Sequence, residues 1–127
     1  MKNLPSKIFS ISLLAIALLT SLSARASELT AMQLQSYCAE TEKGFLGQKF
    51  DAGKSEICRG YIMGFADSMI VTDTLTNKPS FCVPPSLQKT QNMAILNNWI
   101  RDNKNIADTT TAAVALFSAY SKAFPCK

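Results

Sequence analysis

Four residues, Cys38, Cys58, Cys82 and Cys126, are the best equipped for chemistry in this 127-residue sequence, and no histidine accompanies them. A thiolate can attack a carbonyl, ligate a metal or pair as a disulfide, and spacing decides among these. There is no C-x-x-C pair and every interval is long, so a zinc site is a poor match beside a disulfide framework. Without histidine the commonest general base is missing, and neither a Ser-His nor a Cys-His nucleophile pair can be assembled. Two carboxylate pairs, Glu40 with Glu42 and Asp67 with Asp73, have the residue types for glycoside hydrolysis. Residues two apart on a helix diverge, and Asp67 and Asp73 are separated by more than one turn; solvated faces and caps account for them better. Gly44, Gly47 and Gly53 follow no strand, which makes a phosphate-binding loop a poor match. The residue inventory therefore points away from an enzyme, and no metal or cofactor is expected.

Lys2 and Lys7, the apolar run Ile8 to Leu22 and then Ala24-Arg25-Ala26 stand in the order of a secretory signal peptide. Its most apolar stretch, Ile8 to Leu19, is shorter than the roughly 20 residues of a spanning helix. Cleavage is expected after Ala26, which assigns residues 1–26 to the leader and 27–127 to one small domain. Lys2, Lys7 and Arg25 account for 3 of the 13 basic residues, so ten remain against 9 acidic ones and the domain carries only about +1. That charge leaves no footprint for nucleic acid or an anionic membrane. An even cysteine count in a small exported domain reads as disulfides.

Helical periodicity supplies the elements that must position these residues. Thr30 and Gln33 form a capping-box pattern, with Leu34, Tyr37 and Cys38 following at helical spacing, which predicts a helix from about Ala31 to Glu42. Gly44, Gly47 and Gly53 should break it. Ser55 is the expected N-cap of a second helix bearing Ile57, Cys58, Tyr61, Ile62, Phe65 and Met69 on one side. Its other side carries Gly60, Met63, Gly64, Asp67, Ile70 and Val71, so this helix is apolar or small on both faces. Such a helix is either central to its own domain or shared with a partner. For Gly60-x-x-x-Gly64, close packing within the domain and a dimer contact both stay open.

Asn77 to Ser80 is turn chemistry, and Pro84-Pro85 delays the next helix. Ser86 should cap a third helix to about Arg101, with Ile95, Leu96, Trp99 and Ile100 as its apolar face and Trp99 in the core. Asn105 is the expected cap of a fourth, whose stripe is Ile106, Ala113, Phe117, Tyr120 and Phe124; Pro125 ends it. The β-branched run Thr109 to Thr111 weakens its first turn, with a short strand as the lesser alternative.

Four helices with short or medium connections predict a compact all-α domain with antiparallel neighbours. Cys38 near the end of helix one then meets Cys58 near the start of helix two. Cys82 before helix three likewise meets Cys126 after helix four. Loop entropy assigns these bridges about 3 and about 4 kcal/mol.

Specific residues also resemble a known family. Cys58-Arg59-Gly60-Tyr61-Ile62-Met63-Gly64-Phe65-Ala66-Asp67 is similar to the C-x-G-Y-x-x-G-x-x-D signature of the Tai/Rap-type immunity proteins of type VI secretion. Phe81-Cys82-Val83-Pro84 with Gln91 beyond it, and the closing Ala123-Phe124-Pro125-Cys126, resemble that family's later motifs. The connection Asp102-Asn103-Lys104-Asn105 departs from it in lacking a proline. The resemblance implies a periplasmic helical domain, often dimeric, that occludes a peptidoglycan amidase of the papain-like cysteine hydrolase type, with a loop entering the substrate cleft.

The expected toxin contacts are therefore the exposed connections at Thr76, Asn77 and Lys78 and at Asp102, Asn103, Lys104 and Asn105, since polar loops on rigid helices are common binding elements. The expected dimer surface is Gly60, Met63, Gly64, Asp67 and Val71. A competing reading makes the apolar second face of helix two the client surface of a periplasmic chaperone. Subunit of an envelope assembly is a third reading, without a positive feature behind it.

Overall fold

A computed structural model describes residues 28–127, so the expected leader and its cleavage point after Ala26 lie outside the described residues. Four helices carry the described chain: α1 (Ala31–Phe45), α2 (Ala52–Thr76), α3 (Lys89–Asp102) and α4 (Ala112–Ala123). The all-α class agrees with the periodicity, and none of the described residues forms a strand beyond an isolated antiparallel bridge between Thr30 and Thr111.

Both cysteine pairs form as the helix order requires: Cys38 with Cys58 and Cys82 with Cys126, each with Cα atoms 5.0 Å apart. Cys38–Cys58 fixes α1 and α2 as an antiparallel hairpin and is almost wholly buried, whereas Cys82 and Cys126 lie at the surface. One turn nearer the connection, the Thr41 and Ser55 hydroxyls meet at 3.0 Å in the same interface. Glu40 closes the hairpin by accepting from the Asp51 backbone N–H at 2.9 Å and from Lys43 at 2.6 Å. These donors stabilise its carboxylate and hold its pKa below the ordinary value, with the Lys43 hydrogen bond the largest cause.

The centre of the molecule belongs to α1, which packs against all three other helices. Leu34 of α1, Leu96 of α3 and Leu116 of α4 are completely buried, and Met93, Trp99, Ile100, Ala115, Ala119 and Tyr120 surround them. An aromatic cluster closes the core: Phe81, from the segment between α2 and α3, lies 5.3 Å from the Tyr120 ring and 6.3 Å from Phe65. Burial pushes the Tyr120 phenol up to about 12. The Cys82 N–H donates to the Phe124 carbonyl at 2.9 Å, so this segment is tied to the end of α4 by a hydrogen bond as well as a disulfide.

Several helix starts differ from those expected, each for a local reason. The Thr30–Gln33 capping box forms, but α1 continues through Gly44 to Phe45, and the chain turns at Gly47, whose φ is +68°. Ser55 does not cap α2; its hydroxyl is committed to Thr41, and Asp51 caps instead by accepting from the Lys54 N–H. Gly53 is therefore inside the helix. Gln88, in a capping box with Gln91, replaces Ser86 at the start of α3.

The largest difference is at α4, which begins after Thr111 rather than Asn105. Residues 103–111 instead brace the start of α1: Ala31 N–H donates to Thr110 O, Met32 N–H to Ala107 O and Ala112 N–H to Leu29 O. The buried face of α4 is accordingly Ala112, Ala115, Leu116, Ala119 and Tyr120; Ile106 and Phe117, expected in the stripe, are 42% and 44% exposed.

Candidate functional site

At 25 residues α2 is much longer than its neighbours, about 37 Å at the helical rise, and only part of it is needed by the core. Ser55, Cys58, Ile62 and Phe65 are buried along one stripe, with Met69 partly buried at its end. Beyond Met69 no α2 residue is buried: Ile70, Val71 and Leu75 are 65%, 57% and 81% exposed. The helix with two apolar faces is thus peripheral rather than central, and its second face is open in this chain.

Gly60, Met63, Gly64, Asp67 and Val71, the residues expected at a dimer contact, all lie on that open face. A Cβ built at Gly60 or Gly64 would meet no atom within 4 Å, so packing within the domain does not require either glycine. Each nevertheless costs roughly 1 kcal/mol relative to alanine in a helix interior. The two glycines line an open groove between α2 and α4, with Tyr61, Phe65, Ser68 and Ala113. Tyr61 lines the groove opposite Ala113, and burial raises the pKa of its phenol, an effect that the Ala113 backbone partly offsets. The groove continues past Ile57 to Leu29 and Thr111.

The first expected contact turn is a rigid extension of α2. Thr76 is the last helical residue and Asn77 takes the left-handed conformation, φ 50° and ψ 34°. The Asn77 and Lys78 N–H groups both reach the Asp73 carbonyl. The Asp73 side chain accepts from the Ser80 N–H at 2.8 Å and the Ser80 hydroxyl at 2.7 Å. Thr76, Asn77 and Lys78 are consequently exposed on backbone that is held in place.

The second expected turn is arranged differently. Asp102 ends α3 and pairs with Lys122 at 3.1 Å, which lowers its pKa. Asn103 is half-buried, donating its side-chain N–H to the Trp99 carbonyl at 2.8 Å. Lys104 and Asn105 are exposed, as is Asp102 beside Lys122, while the Ala107 and Thr110 carbonyls of the same connection brace α1. Asp102 and Cys82 are both tied to the last turn of α4, through Lys122 and Phe124.

All four cysteines are oxidised, and no cluster of potential metal ligands occurs among the described residues. Sequence reasoning missed Phe81 as a core plug and the burial of the Asn92 side-chain oxygen. The aromatic F-C-x-P segment was the only signal for the first; the second left none.

The pattern matches a known family over nearly the whole described chain: the description "Rap1a immunity proteins" fits residues 30–126. The chain belongs to the Rap1a immunity proteins. No curated protein and no solved structure gives a significant match. Family membership implies a function in immunity, through binding to a cognate toxin effector. In this Rap1a-family chain the C-x-G-Y-x-x-G run supplies one half of the buried disulfide, the groove-lining Tyr61 and the two open-face glycines. The F-C-x-P and F-P-C segments supply the aromatic plug and the second disulfide. No described helix is long and apolar enough to cross a membrane, and two disulfides suit an oxidising compartment.

Proposed function

We propose that this Rap1a-family protein is exported through its N-terminal leader to the periplasm, where it binds and inhibits a peptidoglycan amidase delivered by type VI secretion. The effector would be a papain-like cysteine hydrolase, occluded rather than modified, since occlusion requires only complementary surface. In this reading two copies associate across the α2 face of Gly60, Met63, Gly64, Asp67 and Val71. The turns at Thr76–Lys78 and Asp102–Asn105 then face the toxin, the first as a preset wedge and the second through Lys104 and Asn105.

The supporting observation is the open face of α2. Its glycines are unexplained within the chain, and three large aliphatic side chains remain in water, each forgoing part of the roughly 1.5–3 kcal/mol that full burial yields. A second copy approaching over Gly60 and Gly64 accounts for both. The test is hydrolysis of purified peptidoglycan by the amidase with increasing amounts of this protein, with sedimentation reporting its oligomeric state. Stoichiometric loss of hydrolysis is expected; full hydrolysis at excess protein would rule the reading out.

A further inference from the structure

We propose that two copies of this chain pair through α2 in one antiparallel register, with Val71 and Leu75 of each copy seated over Gly64 and Gly60 of the other. That two copies meet on α2 at all rests on the proposed function; their direction and register rest on the shape of the helix surface. At about 3.6 residues per turn, Gly60, Gly64, Val71 and Leu75 fall within about 60° of one another. They occupy the side of α2 roughly opposite the buried Ser55, Cys58, Ile62 and Phe65, so the stripe faces away from the rest of the domain. Its first half is hollow and its second half is raised. A Cβ at either glycine would meet no atom within 4 Å, whereas Val71 and Leu75 stand 57% and 81% exposed.

A surface meets its own copy across a twofold axis only if it is self-complementary. Here the hollows and the projections have the same spacing: Gly60 and Gly64 are one turn apart, and so are Val71 and Leu75. With the helices antiparallel and the axis midway between Asp67 and Ser68, Leu75 of one copy comes level with Gly60 of the other, and Val71 with Gly64. An axis perpendicular to the helix pair keeps each residue on the same side in both copies. Leu75 shares its side of α2 with Tyr61 and Ser68, which lie towards α4, so the leucine of one copy arrives at the groove that Gly60, Tyr61, Gly64 and Ala113 line in the other.

Charge agrees with this register at both ends. Glu56, whose side chain is 68% exposed, comes nearly level with the exposed Lys78 of the second copy. A parallel pair has no such fit, because Leu75 would meet Leu75 and hold the glycines apart. An unrelated partner could fill the groove, but it would give no reason for side chains of matching size and spacing on the same helix. One residue opposes the pairing: Asp67 is exposed beside the axis and meets the like charge of its own copy.

Cross-linking reads the register directly. Ser68 lies next to the axis, so Ser68→Cys should give a disulfide-linked dimer under mild oxidation, with peptide mapping to confirm that the native bridges are intact. Leu75→Cys, about 22 Å from its copy along the helix, should not. In sedimentation, Leu75→Ala should weaken dimerisation at least about tenfold, since each dimer loses two buried leucines, with no comparable loss in the stability of the dilute monomer. Gly60→Leu fills the groove and should leave a folded monomer, verified by circular dichroism. Asp67→Asn removes the like charges and should tighten the dimer several-fold. A dimer that links through Leu75→Cys and not through Ser68→Cys, or that Leu75→Ala leaves as tight as before, would overturn the register while leaving dimerisation in place. A monomer at every concentration would overturn both. Because no toxin is present, either result is distinct from failure to inhibit an amidase.

Discussion

Between Ser55 and Phe65 every third or fourth residue of α2 is buried against the rest of the domain, whereas from Ile70 to Thr76 none is, although both stretches are rich in large aliphatic side chains. Ile62 and Ile70 are the same residue on the same helix, at 9% and 65% exposure. What separates them is the supply of neighbours: α1 and the Phe81 cluster cover the first half and end before the second begins. Hydropathy alone therefore cannot tell a core stripe from an apolar face that stays open in this chain.

Substitutions should break or sharpen this contrast. Phe65→Ala should cost about 3–5 kcal/mol, as expected for an aromatic removed from a packed site. Leu75→Ala should stay within about 0.5 kcal/mol, like other surface changes. Urea unfolding of both variants measures the difference, and an equal loss would mean the second half is packed after all. Replacing both Cys38 and Cys58 by alanine should remove about 3 kcal/mol, because the bridge anchors only the covered half. Its thermal denaturation can be compared with that of the intact protein.

Asn92→Leu should move stability upward by about 1–3 kcal/mol, relieving a buried acceptor without a partner. Its melting temperature, compared with that of the intact protein, checks this. Gly60→Ala and Gly64→Ala should each stabilise the monomer by up to about 1 kcal/mol in dilute solution while weakening self-association, read by sedimentation over a concentration series.

The smallest effect is in acid. The lowered pKa of Glu40 means that its contribution is present above the ordinary carboxylate range and is lost as pH falls through the folded value. Glu40→Gln should therefore flatten the acid limb of the stability curve. An unchanged limb would show that the link from Glu40 to Asp51 does not help hold the hairpin.

The elements were legible where the signal was local. The Thr30–Gln33 box, the Pro125 stop and the two cysteine pairings needed only neighbouring residues and helix order. Ser55 was misread because a serine before an apolar run looks like a cap until Thr41, 14 residues away, claims its hydroxyl. The fourth helix was started too early because residues 106–110 are employed in holding the first helix, which spacing along one segment cannot reveal. Its buried face was rotated because alanines at 112, 115 and 119 carry little hydrophobic signal, yet they let α4 sit close to the core. In the candidate site, the unusual second face of α2 was visible in its residue types; that the glycines touch nothing, and that Asn92 faces inward, required three dimensions.

The two bridges also differ in when they can close. Cys38 and Cys58 are 20 residues apart and belong to adjacent helices, so they can pair once α2 has emerged, before α3 or α4 exists. Cys82 is separated from its partner by 44 residues spanning both later helices and must remain a free thiol until α4 has been made. Early closure of the first pair removes the two cysteines with which Cys82 could otherwise mispair. The linear order of the cysteines thereby acts as a schedule, leaving a single correct choice at the second step.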